Sequence, residues 1–271
     1  MHAIVSRGVR HAYVTTFVLG LIVLAGALGA GVYYSVTTYG TLPRIEPPGD
    51  LQEDLRKFLV AGRHDQSIAQ MRILLRLPGQ NVARHTVHAV LGDLLLDKGE
   101  VDEAIQHFLR AIEISPATPS VHSNLGFAYL ENNDLDKARI AFEEELRVNP
   151  SHDYACNNLG LIFVKQGNLE AAATYFQRAV LNNPQMVEAH FNLGNVASRH
   201  GQLDSAIAHF QDALQINPSF AALHNNLGIA LERQGHVDEA TAHFRRALQI
   251  DPGLADARNN LTRMLRRTTQ R

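Results

Sequence analysis

The 271-residue chain contains one cysteine, Cys156, and no tryptophan. A lone thiol excludes an internal disulfide and any zinc site built from several cysteines. Catalytic signatures are missing as well. There is no glycine-rich phosphate loop, no H-E-x-x-H helix and no G-x-S-x-G elbow, so the expectation is a protein that is not an enzyme, with no metal site and no cofactor. A basic excess is also lacking. The formal net charge is −2, and it is unevenly distributed: residues 1–45 carry Arg7, Arg10 and Arg44 without an acid, and residues 255–271 carry five arginines against Asp256. Setting these aside leaves 17 basic and 26 acidic residues over 46–254, a net of −9. A body so acidic repels phosphate backbones, which argues against a nucleic-acid partner.

Charge vanishes altogether between Arg10 and Arg44 when His11 is neutral. Residues 12–34 are dominated by Val, Leu, Ile, Ala, Gly and aromatics, and as a helix they would reach about 34 Å, enough for a hydrocarbon layer of about 30 Å. Tyr13 at one end and Tyr33 and Tyr34 at the other stand where interfacial aromatics belong. The segment is expected to be a transmembrane signal anchor. The positive-inside bias places residues 1–11 in the cytoplasm and the rest of the chain on the periplasmic, extracytoplasmic side of the inner membrane. A cleaved signal peptide is the competing reading, because Ala25, Gly26 and Ala27 form an A-x-A-like site. Apolar sequence continues past that site, which favours the anchor, and both readings export the remainder. Residues 35–50, rich in Pro and Gly, follow as a semi-rigid linker.

From there the chain repeats itself. Pro116, Pro150, Pro184, Pro218 and Pro252 are each 34 residues apart. Gly92, Gly126, Gly160, Gly194 and Gly228 keep the same frame, each preceded by Leu; so do Ala104, Ala138, Ala172, Ala206 and Ala240, and Phe108, Phe142, Phe176, Phe210 and Phe244. Within one copy, Leu125, Ala128 and Tyr129 and then Ala138, Ala141, Phe142 and Leu146 recur at helical spacing. Asn132-Asn133-Asp134 divides the two blocks, with Gly99, Gly167, Gly201 and Gly235 at the matching place elsewhere. Glycine lets the chain leave the first helix through a left-handed residue, and proline stops the second. Each copy is therefore expected to be a helical hairpin, with Gly and Ala where the helices approach and Phe between them.

The Leu-Gly pair, Tyr129 three residues after Gly126, and the Ala, Phe and terminal Pro series resemble the tetratricopeptide repeat family across residues 85–254. The copies run 85–118, 119–152, 153–186, 187–220 and 221–254, with a degenerate hairpin at 51–84 and a basic capping helix and tail at 255–271. Two departures stand out. The frequent early Trp is absent, and Glu145 stands where the other copies have Ala111, Ala179, Ala213 and Ala247, which marks either local loosening or a contact with another chain. The resemblance implies an all-α, right-handed solenoid of tetratricopeptide hairpins, here behind one N-terminal transmembrane helix, whose first helices line a groove for an extended peptide or a partner helix.

Carried onto this sequence, the family's groove positions are Phe127, Leu130, Glu131, Tyr154, Leu161, Val164, Lys165, Phe191, Asn195, Arg199 and Arg233. Residues five after the repeat glycines run Asp97, Glu131, Lys165, Arg199 and Arg233, a change from acid to base that would orient a ligand. An asparagine ladder, Asn124, Asn158, Asn192, Asn226 and Asn260, crosses the same face. Its amides can donate to and accept from a peptide backbone, or they can tie adjacent repeats together. No Lys occupies the positions six and three before the glycines, so the two-carboxylate clamp of the chaperone-binding members is not expected.

Histidines also follow the period: His88, His122, His190 and His224 lie four before their glycines, and His107, His209 and His243 one before their phenylalanines. Equivalent residues in successive copies should be one helix layer, roughly 10 Å, apart, too far to share an ion held at about 2 Å. They are expected to pack, as is Cys156 in the same framework position as four of them. The functional expectation is a non-catalytic, membrane-anchored interaction scaffold for protein partners, without a small-molecule substrate, in bacterial envelope assembly. Two alternatives remain open: a required non-catalytic subunit of a membrane enzyme complex of the cytochrome c maturation or glycosyltransferase type, and an adaptor facing the cytoplasm.

Overall fold

A computed structural model describes residues 64–76, 84–118 and 120–269, and every element among them is an α-helix. The chain divides into two compact units between Pro150 and Ser151. The first holds α1 (His64–Arg76), α2 (Arg84–Lys98), α3 (Val101–Ile114), α4 (Val121–Glu131) and α5 (Leu135–Val148). The second holds α6 (Asp153–Lys165), α7 (Leu169–Asn182), α8 (Val187–Arg199), α9 (Leu203–Ile216), α10 (Ala221–Gln234), α11 (Val237–Ile250) and α12 (Ala255–Thr269).

Within each unit the helices pair as antiparallel hairpins that stack in sequence order. In the first, α2 packs on α3 and α4 on α5, with α1 against α2 and α3 against α4. The second repeats this with α6–α7, α8–α9 and α10–α11, and α12 closes on α11. The fold is an all-α helical repeat solenoid. Among the described residues no helix is long and apolar enough to cross a membrane. The span expected at residues 12–34 lies outside them, as do the linker and residues 51–63 of the degenerate copy.

Local chemistry explains where several helices start and stop. The side chains of Asp134 and Asn168 accept hydrogen bonds from the backbone N–H of Lys137 and Ala171, capping α5 and α7. Between α6 and α7 the chain turns through Gly167 at φ 78°, and the N–H of Asn168 reaches back to the carbonyl of Phe163 at 2.9 Å. This is the Schellman closure of a helix C-terminus. The matching turn between α4 and α5 uses Asn133 at φ 58°, a residue whose short amide side chain tolerates the left-handed region.

The repeat glycines serve a different purpose. A Cβ on Gly160 would lie 2.5 Å from the Phe176 ring, and the other four repeat glycines face the phenylalanine of their own copy just as closely. Phe108, Phe142, Phe176, Phe210 and Phe244 are all fully buried, as are the repeat alanines. The second helices are amphipathic, burying Ala, Phe and Ala at spacings of four and three, as Ala172, Phe176 and Ala179 do on α7. The first helices bury more of their circumference because they pack against their own partner and against helices of adjacent copies; α2 buries Val87, Ala89, Val90, Leu91, Gly92, Leu94, Leu95 and Leu96.

Glu145 corrects an expectation. It is fully buried, and its Oε2 accepts from the Ser123 N–H at 3.2 Å, in the first turn of α4. Ser120 at the N-cap of that helix makes no side-chain cap bond. The carboxylate thus satisfies an orphan donor of its own hairpin and is turned into that hairpin rather than toward another chain.

Candidate functional site: the first-helix face and the histidine pairs

The expected groove residues sit on first helices and fall into two kinds. Apolar members are half-buried and support the core while showing an edge to solvent. In the first unit Phe127 packs against the core that includes Leu125, Ala128 and Ala141, and Leu130 is half-buried beside it. In the second unit Leu161 and Val164 lean on Ala172, Phe176, Leu193 and Val196. Tyr154 is half-buried, and the Phe191 ring lies 6.2 Å from Phe210 and 5.5 Å from Phe220. Charged members are exposed: Glu131 in the first unit and Lys165, Arg199 and Arg233 in the second. Arg233 is also held, because its Nη1 donates to the Ser198 carbonyl at 2.7 Å and to its hydroxyl at 2.9 Å.

The asparagine ladder has internal partners. Asn124 donates to Asp93 Oδ1 at 2.7 Å, Asn192 to Asn157 at 3.0 Å, Asn226 to Asn195 at 2.7 Å and Asn260 to Asn225 at 3.0 Å. Each acceptor lies on the first helix of the preceding copy, either three before or one after its glycine. The side chains therefore tie adjacent hairpins within a unit, and Asn195 belongs to that tie. Asn158 is buried. One amide proton of each of the other four is already engaged before any peptide arrives.

The histidines form an arrangement that comparing one copy with the next does not reveal. The histidine four before the glycine and the one before the phenylalanine meet inside a single hairpin. His88 Nδ1 and His107 Nδ1 are 2.8 Å apart, and His224 Nδ1 and His243 Nδ1 3.0 Å. A carbonyl can only accept, so the 3.2 Å contact of His224 Nε2 with the Pro218 oxygen fixes the proton on Nε2. Its Nδ1 then accepts from His243. Burial is the main cause that holds His88, His107, His209, His224 and His243 below the usual histidine range, His88 at about 4. These rings are neutral near pH 7.

The third pair differs. His190 and His209 have ring centroids 6.0 Å apart, against 5.0 and 5.2 Å in the other two, and neither Nδ1 has a hydrogen-bond partner. Asp212 joins them, its Oδ2 3.7 Å from His190 Nδ1. Within this one copy the donor atoms of His190, His209 and Asp212 all lie within 4.8 Å of one another. The signal was present in the sequence as two histidines 19 residues apart in one copy, with an acid two after the phenylalanine where Arg110, Arg178 and Arg246 stand elsewhere. Cys156 is fully buried as expected, and burial raises its thiol above the usual range.

Stacked hairpins with these glycine, alanine and phenylalanine contacts define a tetratricopeptide-repeat domain. The family model described as the C-terminal domain of cilia and flagella-associated protein 70 matches residues 57–264, and the chain belongs to that family of repeat domains. Among solved structures, MamA is similar at 26% identity and a TM-score of 0.55, covering 60% of this chain and 95% of that one. YrrB, described as a TPR protein with an unusual peptide-binding site, is similar at 24% identity and 0.56, covering 65% and 91%. PilF of Pseudomonas aeruginosa shares the fold at 16% identity and 0.67, covering 78% and 94%. No curated protein matches the sequence.

Proposed function

We propose that the protein is a membrane-anchored, non-catalytic scaffold that holds a protein partner on the first-helix face of its repeats. The observation that carries this reading is the combination found in the second unit. Half-buried apolar residues Tyr154, Leu161, Val164 and Phe191 lie on α6 and α8, the helices of the exposed cations Lys165 and Arg199, and the exposed Arg233 follows on the next first helix, α10. Half-burial fixes the apolar side chains in place while leaving area for a partner to cover, and the cations favour an acidic, extended segment or helix. The same fold in YrrB is described with a peptide-binding site. The anchor is residues 12–34, read from hydropathy, and the positive-inside bias puts the solenoid on the periplasmic side, in an envelope assembly role.

Crosslinking in the native cells tests the binding face. Lys165→Glu combined with Arg199→Glu alters exposed charges and spares the packing of Phe191, so the variant keeps its helicity. A partner captured by the native chain and lost from this variant supports the reading. Equal capture by both removes the basic first-helix face from it. Topology is checked by protease added to intact spheroplasts: cleavage of the repeats is expected, and full protection would move the scaffold to the cytoplasm.

A further inference from the structure

The hairpin of α8 and α9 carries a group of side chains that the scaffold reading leaves without a role. His190 is 7% exposed, and its Nε2 lies 3.2 Å from the Pro184 carbonyl. That contact places the ring proton on Nε2 and leaves the lone pair on Nδ1 pointing into the hairpin. His209 Nδ1 is buried there too, and both nitrogens lack a hydrogen-bond partner. A buried polar atom without a partner is destabilising. The two homologous pairs avoid this by closing into an Nδ1···Nδ1 hydrogen bond; this pair stands open. Among the described residues, His190, His209 and Asp212 are the one group of three ligating side chains whose donor atoms all lie within 4.8 Å of one another.

We propose that His190 Nδ1, His209 Nδ1 and Asp212 Oδ2 bind a divalent zinc ion. Zinc takes imidazole nitrogen and carboxylate oxygen at about 2.0 to 2.2 Å in tetrahedral geometry, which separates neighbouring donors by about 3.4 Å. The His190 to Asp212 distance of 3.7 Å is already close to that. Asp212 is about half exposed, with a side-chain accessibility of 51%, so its carboxylate can swing, and drawing donors that already lie within 4.8 Å of one another onto an ion takes side-chain adjustment of about an ångström. Two imidazoles and one carboxylate favour zinc over calcium or magnesium, which take all-oxygen sites. The Pro184 carbonyl is the outer partner that metal-bound histidines ordinarily have, fixing ring orientation and tautomer. A fourth position stays open to water or to a side chain from a partner. The site uses none of the first-helix residues assigned to partner binding and stands or falls independently of them.

The other hairpins act as internal controls. Where this copy has Asp212, the first and fifth have Arg110 and Arg246 beside their histidine pairs, and a guanidinium there repels a cation. Asp212→Arg therefore reproduces a side chain that the fold already accepts at this position. The full-length chain is stripped with a chelator and titrated with zinc against a chromophoric chelator of known affinity. The native chain is expected to bind one zinc tightly, with X-ray absorption reporting only nitrogen and oxygen neighbours. Asp212→Arg and His209→Gln should each weaken binding by at least roughly tenfold, at unchanged helicity. His107→Gln and His243→Gln should leave it unchanged. Equal zinc affinity in the native and Asp212→Arg chains, no tight site in the native chain, or loss of the site on His243→Gln would each overturn the assignment.

Discussion

At the scale of single residues, the repeat is a set of contacts that tolerate almost no added volume. Gly160→Ala would drive a methyl group to 2.5 Å from the Phe176 ring. Overpacking of this kind costs about 1 to 3 kcal/mol, and Ala172→Leu, at a fully buried position of the same hairpin, should cost a similar amount. Gly167→Ala meets nothing within 4 Å but must hold φ at 78°; left-handed strain of about 1 to 2 kcal/mol is expected instead. Denaturant titration of the three variants separates the mechanisms, because Phe176→Leu should relieve Gly160→Ala and leave Gly167→Ala untouched. The half-buried and buried histidines set the pH response. Their native pKa values lie below the ordinary 6.5, so between that value and the lower native ones the unfolded chain binds more protons. Stability is then fully present above about pH 6.5 and falls as pH drops toward about 4. Thermal melts of the metal-free chain across that range should show the midpoint falling with acid, and His88→Gln with His107→Gln should flatten the slope. A midpoint that rises on acidification would contradict neutral burial of the pairs.

At the scale of elements, hairpins were legible in the sequence because glycine, alanine, phenylalanine and proline each answer a local geometric need and recur in one frame. The role of the asparagines was not. An amide at constant spacing has the same appearance whether it faces a ligand or the preceding helix, and the ties to Asp93, Asn157, Asn195 and Asn225 emerge only once the helices are placed. The histidine pair was missed for a related reason: residues 19 apart meet only through the hairpin, a separation that neither helical spacing nor the 34-residue period highlights. The terminal helix α12 tests how an end is held. Met264 is buried against the core that contains Phe244, while Arg263 and Arg267 reach Glu232 on α10 at 2.5 and 2.9 Å. The ion pairs are solvated on the arginine side, so Glu232→Gln should cost about 1 kcal/mol or less. Met264→Ala should cost about 2 kcal/mol or more, as large-to-small changes in a core do. Hydrogen exchange over residues 255–269 should accelerate strongly in the second variant and slightly in the first. The reverse order would mean that charge, rather than apolar burial, fastens the cap.

At the scale of the whole molecule, each hairpin of the described residues packs, within its own unit, on its neighbours in sequence, so stability is a chain of local terms rather than one shared core. The two compact units make the same point, since each carries buried clusters of its own. A large perturbation at one end should therefore remain near that end. Phe244→Ala in α11 removes a fully buried ring, at about 3 to 5 kcal/mol. Exchange of backbone amides should rise most in α10, α11 and α12, less in α8 and α9, and little in α2 and α3. That graded profile also bears on function. A scaffold whose copies respond locally can loosen one hairpin around a partner while the others keep their ties, and a ligand held by several first helices gains from every copy that stays ordered. Uniform acceleration across all the helices of the described residues would instead describe a single cooperative block. In such a block a partner that ordered one copy would stabilise every other, and binding and folding would be a single equilibrium.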